Sequence, residues 1–267
     1  EPYAQLHAAV RRKSMLEDMR VFGFESDATK LHFSQKGIDP DEVFSTIPYE
    51  KGCSFLSVIE NVVGRDRFDV FIRKYIETFR FQSLTTQDFL SFLREEIPGI
   101  DEKVNIQQWV FEPGFPRDAL EPSSHLLDDV YQRLKAYEQG VLPKMEDVSG
   151  WKAPQIEVFL KGMPRPIPVE HCAYLGELFG LDKSRNCNLQ TDYYVIAIVS
   201  GYTPIRKDVE RLLSSVGRML YLKPLYRALV DSAWSREFVR PLFETCRHSY
   251  HPIAVTAIVR ILESAGL

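Results

Sequence analysis

Residues 39–64 read DPDEVFSTIPYEKGCSFLSVIENVVG. In the second half of this stretch Phe55, Leu56, Ile59, Val62 and Val63 recur at i, i+1, i+4, i+7 and i+8, a spacing that gathers them on one face of a helix. Gly64 stops the pattern, and Pro48 restricts the backbone just before it begins. Tyr49 directly follows that proline, at the mouth of the helix, where a turn needs no aromatic side chain.

The same periodicity extends in both directions. Leu6, Ala9, Val10, Lys13 and residues 15–19 predict a helix that ends near Gly23. Phe68, Phe71, Ile72, Tyr75, Ile76 and Phe79 predict another, followed by a third with Phe89, Leu90, Phe92 and Leu93 on its apolar face. Thr85 and Thr86 are competent N-caps for that third helix, Asp88 falls in its first turn, and Pro98-Gly99 breaks it. Residues 106–111 predict a short fourth.

The composition changes at Glu112–Ser124, EPGFPRDALEPSS, whose three prolines and one glycine forbid a continuous helix and predict an interdomain linker. Beyond it, helical patterns return over 126–137, 155–163, 169–179, 192–200, 209–216, 220–233, 238–247 and 253–263. With no convincing period-2 stretch, these eight short helices predict an all-α architecture of stacked helix pairs, a solenoid of the HEAT or armadillo sort. Tyr193–Val199 carries a β-branched run that could be a strand, but a buried helix fits its neighbours better.

A 267-residue chain that is 45% hydrophobic and 12% aromatic has ample material for packed cores. Its net charge is −4, its pI is near 5.9, and the longest basic run is Arg11-Arg12-Lys13, which argues against nucleic acid as a partner. Cys53, Cys172, Cys187 and Cys246 show no CxxC pairing and fit a reducing, cytoplasmic setting. The longest very apolar segment falls far short of the ~20 residues that span a bilayer, so no membrane association is expected. The chain starts in helical rhythm without an initiator Met and is expected to be a piece of a longer protein.

The six histidines form no HExxH, and no Cys/His cluster has zinc-ligand spacing. His248 and His251 are three apart without a nearby acidic ligand and are expected at the surface or in a cap. GxSxG, GxxxxGKS and GxGxxG are absent. The residues alone supply no complete active site.

Taken in order, DPDEVFSTIPYEKG, FDVFIRKYIETFRFQSLTTQDFLSFL, WVFEPGFP, VGRMLYLKPLYRAL and SYHPIAVTAIV span essentially the whole chain. In that order they resemble the leukotriene-A(4) hydrolase and aminopeptidase B branch of the zinc aminopeptidases related to aminopeptidase N, the gluzincins. The resemblance implies that residues 1–112 are the late helical part of a thermolysin-like catalytic domain, 113–122 a Pro-rich linker and 123–267 a C-terminal helical domain. It places the HExxH helix and the third zinc ligand upstream of Glu1. Zinc is then a cofactor of the full-length protein with no site within this chain, and the remainder of the catalytic domain is its partner.

The resemblance also assigns roles. Tyr49 matches the family's transition-state tyrosine: a fixed donor aimed at a peptide carbonyl stabilises the negative charge that gathers there during attack by water. An unperturbed phenol, with a pKa of about 10, keeps its proton for that task, and Gly52 is expected to allow close packing one turn later. Asp41 matches an acidic residue near the substrate's N-terminal end, although an Asp in IDPDE serves equally well as an N-cap. Phe44 falls where leukotriene hydrolases carry a second tyrosine, and its missing hydroxyl argues against lipid-epoxide chemistry. Arg218 matches a basic residue that holds the substrate carboxylate, a task suited to the guanidinium fork, while a lysine that assists it in leukotriene hydrolases is here Leu220. The implied function is removal of N-terminal residues from short peptides by the full-length enzyme, the chain alone being inactive. The alternatives are a non-catalytic helical module that binds peptides or proteins, and an epoxide hydrolase.

Overall fold

The computed structural model describes residues 2–34, 37 and 45–267, so Asp41 and Phe44 lie outside the described residues. Every regular element among the described residues is helical. The chain divides into two compact units, His7–Pro122 and Ser123–Leu267, the second joined by Glu1–Leu6.

The first unit contains most of α1 (Pro2–Phe22) together with α2 (Ile47–Val63), α3 (Arg65–Phe79), α4 (Thr86–Glu96) and α5 (Ile106–Phe111). Gly64, at φ 83°, separates α2 from α3 in a backbone region that L-residues rarely occupy. Thr85 caps α4 through a reciprocal pair: its Oγ1 accepts from the Asp88 N–H (3.2 Å), while Asp88 Oδ2 accepts from the Thr85 N–H (2.9 Å). The apolar faces of α2, α3 and α4 meet around Phe55, Ile59, Phe71, Leu93 and Trp109. Edge-to-face contacts such as Tyr75–Phe89 and Phe79–Phe92 extend that core with aromatic rings. The segment 113–122 is non-helical, as its prolines require, yet it packs within this unit. Phe115 lies edge-on to Trp109 at 5.7 Å, and Asp118 accepts the indole N–H at 3.2 Å.

Among the described residues 123–267 the second unit has nine α-helices rather than the eight expected. They are α6 (His125–Glu138), α7 (Met145–Val148), α8 (Ala153–Gly162), α9 (Val169–Leu178), α10 (Cys187–Val199), α11 (Arg206–Ser215), α12 (Met219–Asp231), α13 (Arg236–Cys246) and α14 (Pro252–Ser264). The additional one is the single turn α7, too short to carry a periodic signal. Helices α6, α8, α10, α12 and α14 pack in succession as one row, with α9 against α10, α13 against α12 and α11 against α13, in the manner of a solenoid. The ambiguous run 193–199 is the C-terminal half of α10, buried through Ile198. Its β-branched residues are covered on every side by neighbouring helices, and Leu189 through Ile198 are all buried, so the helix shows no polar face. Asn186 caps α10 and starts it one turn earlier than the apolar pattern suggests.

Candidate functional site

The first turn of α2 is built from the residues around Tyr49. Thr46 precedes the helix, and its N–H and Oγ1 both donate to Asp18 Oδ2 of α1 at 2.8 Å, which fixes the entry of the chain. Ser45 Oγ accepts from the Ile47 N–H at 3.3 Å. Ile47 itself is fully buried against Met15 and Met19. Pro48 occupies the second helical position, where its missing N–H costs nothing because the first-turn N–H groups have no intrahelical partner. Glu50 pairs with Arg11 at 3.4 Å, and burial raises its pKa against the opposing pull of that guanidinium. Tyr49, by contrast, is 65% exposed. An outward phenol thus stands on a turn whose other side chains are engaged with the protein.

Lys51 belongs to the same turn, and the sequence reading assigned it no role. It is fully buried, and its Nζ donates to the backbone carbonyls of Thr29 and Glu112, each at 3.0 Å. Thr29 is also fully buried. Its Oγ1 donates to Ser26 O (2.7 Å) and accepts from the Gly114 N–H (2.8 Å). The Pro-Tyr-Glu-Lys-Gly and WVFEPGFP stretches, which sequence treats as separate motifs, are therefore bonded through one ammonium. The signal was present: Ile47, Lys51, Phe55 and Ile59 fall at i, i+4, i+8 and i+12, which places a lysine in an otherwise apolar stripe. Gly52 does not serve as expected. A Cβ there would meet only Leu31, at an ordinary 4.0 Å, so close packing does not require glycine at this position.

In the second unit Arg218 is the exposed N-cap residue of α12, and its guanidinium lies 5.9 Å from the Tyr221 ring centroid. Its carbonyl accepts from the Tyr221 and Leu222 N–H groups, so the cap is made by the backbone and the guanidinium is not consumed by it. Leu220 is 54% exposed. Tyr49 and Arg218 thus belong to different units, each anchored within its own. His251 caps α14 by accepting from the Ile253 N–H at 3.3 Å. Among the described residues, no three His, Cys, Asp or Glu side chains stand together where they could hold a metal ion, so these residues do not fit a zinc site.

Comparison with known families gives two matches that together take in most of the chain. Residues 5–111 match the peptidase family M1 domain, and residues 151–262 match the C-terminal domain of leukotriene A4 hydrolase. The chain belongs to the M1 peptidase family. Within that family it falls in the leukotriene A4 hydrolase branch. Among similar proteins, leucine aminopeptidase 2 of Ajellomyces capsulatus is 34% identical across 95% of this chain and 42% of its own length. Leucine aminopeptidase 2 of Neosartorya fischeri is 33% identical across 95% of the chain and 43% of its length. The chain thus spans less than half the length of these relatives. A solved structure of yeast leukotriene A4 hydrolase in complex with bestatin matches 98% of the chain and 47% of its own length, with a TM-score of 0.85 and 24% identity, a likeness of fold. No helix among the described residues is long and apolar enough to cross a membrane.

Proposed function

We propose that this chain is the C-terminal portion of a zinc-dependent, cytoplasmic aminopeptidase that removes N-terminal residues from short peptides. Residues 1–112 are then the late helical part of its catalytic domain, 113–122 the segment leading out of it, and 123–267 its C-terminal helical domain. Zinc belongs to the remainder of the catalytic domain, and when bound it supplies a polarised carbonyl and an activated water.

The observation that carries this reading is the exposed Tyr49 phenol on an immobilised helix turn. An O–H held in one place donates to a carbonyl oxygen as that oxygen gains negative charge, and it needs no reorganisation at that moment. Tyr49 sits at the third position of a 17-residue helix, where the positive end of the helix dipole also favours developing negative charge. Arg218, exposed at the start of α12, holds the carboxylate at the far end of a short peptide. Leu220 leaves that clamp with one cation where leukotriene hydrolases have two. Asp41 pairs with the substrate's amino group, and Phe44 lacks the hydroxyl that epoxide opening uses.

Tyr49→Phe in the full-length enzyme lowers kcat on a short peptide by about 10²–10³, with the melting temperature nearly unchanged because the ring remains and its hydroxyl is solvent-facing. An unaltered kcat sinks the assignment.

A further inference from the structure

Lys51 is the most deeply buried charge among the described residues of the first unit, and the catalytic reading leaves it without a task. It sits two residues after Tyr49 on the same turn, on the opposite, inward side, with both donor contacts made to backbone. Those contacts reach two separate segments, a 3-10 turn (Asp27–Thr29) following α1 and the stretch following α5 at Glu112. Thr29 then bonds the Gly114 N–H, which closes a polar knot of α2, residues 26–29 and residues 112–114. A helix start fixed only by apolar contact can rock by fractions of an ångström; one tied to two rigid carbonyls cannot rotate about its axis without breaking charge-assisted bonds.

We propose that Lys51 is a positioning residue for Tyr49: its ammonium, by bonding the Thr29 and Glu112 carbonyls, sets the rotation of the first turn of α2 and with it the place of the phenol oxygen. The inference rests on the oxyanion role of Tyr49 and adds the device that aims it. A misplacement of about 1 Å at such a donor costs up to ~10²-fold in rate, whereas substrate affinity depends on other contacts. Turnover should therefore suffer and KM should not.

Protonation supports the geometry. Burial pushes the Lys51 pKa down from 10.5 to about 8. The Glu112 carboxylate opposes that shift, and the Lys30 ammonium, itself paired with Asp27 at 2.6 Å, adds to it. Below that value both bonds are charge-assisted; above it the neutral amine donates more weakly, so the aim of Tyr49 loosens as pH rises.

The test is a double-mutant cycle in the full-length enzyme with a short peptide substrate. Lys51→Met preserves the stem and removes the ammonium; it lowers kcat by about 10–100-fold with KM within about twofold. In the Tyr49→Phe background the same substitution lowers kcat by no more than about twofold, because there is no phenol left to aim. Full additivity of the two losses overturns the positioning role while leaving the oxyanion role standing. An unchanged kcat for Tyr49→Phe alone overturns the oxyanion role and the inference with it. Should Lys51→Met not fold, pH profiles carry the test without it. Wild-type kcat falls as pH rises through about 8, and the Tyr49→Phe profile lacks that step. A step shared by both proteins, or absent from the wild type, overturns the proposal.

Discussion

Tyr49 and Lys51 show how one helical turn divides its side chains between solvent and interior. The phenol is exposed and the ammonium is enclosed, although the two are separated by a single residue. A comparable economy holds at Gly176 of α9. A Cβ at that position would lie well inside van der Waals contact with the Tyr193 hydroxyl and 3.1 Å from Tyr193 Cζ. Tyr193 cannot give way: it is fully buried in α10, and its hydroxyl donates to the Cys172 carbonyl at 2.9 Å. Gly176→Ala should destabilise the second unit by about 1–3 kcal/mol, despite the roughly 1 kcal/mol of helix propensity that alanine adds. Chemical denaturation measures this, and a stabilised variant would show that α9 and α10 can move apart. Nothing in the local sequence around Gly176 announces the constraint, because the obstructing ring is 17 positions away along the chain.

At the scale of elements, termination signals were the most legible part of the chain. Gly64, Thr85 with Asp88, and Pro98-Gly99 act through a few neighbouring residues, so sequence displays them directly. The reciprocal cap of α4 yields a test. Thr85→Ala should cost about 1 kcal/mol, read as a lowered melting temperature. Hydrogen bonds from Thr85 hold the Asp88 pKa below its ordinary value. A depressed carboxylate pKa means stability that is present above the ordinary carboxylate range and is lost as pH falls through the lower folded value. The difference between wild type and Thr85→Ala should therefore narrow on acidification and persist at neutral pH. A difference independent of pH would assign the loss to the methyl and hydroxyl of Thr85 alone. Helix α10 was the harder element, since burial on all sides erases the period of 3.6 that identifies helices.

The whole molecule is two helical units, each with its own core, matched to different portions of a longer M1 peptidase. The described residues contain no metal-ligand cluster, and the catalytic reading needs one. The 267-residue chain prepared by itself should therefore retain less than stoichiometric zinc and cleave no peptide, whereas on the proposed function the full-length protein should hold zinc and cleave peptide. Metal analysis that finds one tightly held zinc per isolated chain would contradict the division of labour proposed for the two parts.

Sequence by itself determined the helical class, most helix boundaries, the family, and the candidates Tyr49 and Arg218. Those features are written in local periodicity, in capping residues and in short ordered motifs. It also placed Asp41 and Phe44, on the strength of motif position alone. Only the tertiary structure decided that Tyr49 faces outward while Lys51 is enclosed, that Lys51 joins the Thr29 and Glu112 segments, and that Gly176 must stay small. Each of these depends on groups far apart in the chain meeting at hydrogen-bond or van der Waals distance. Burial and bonding of that kind are properties of the packed chain, and no window of sequence contains both partners.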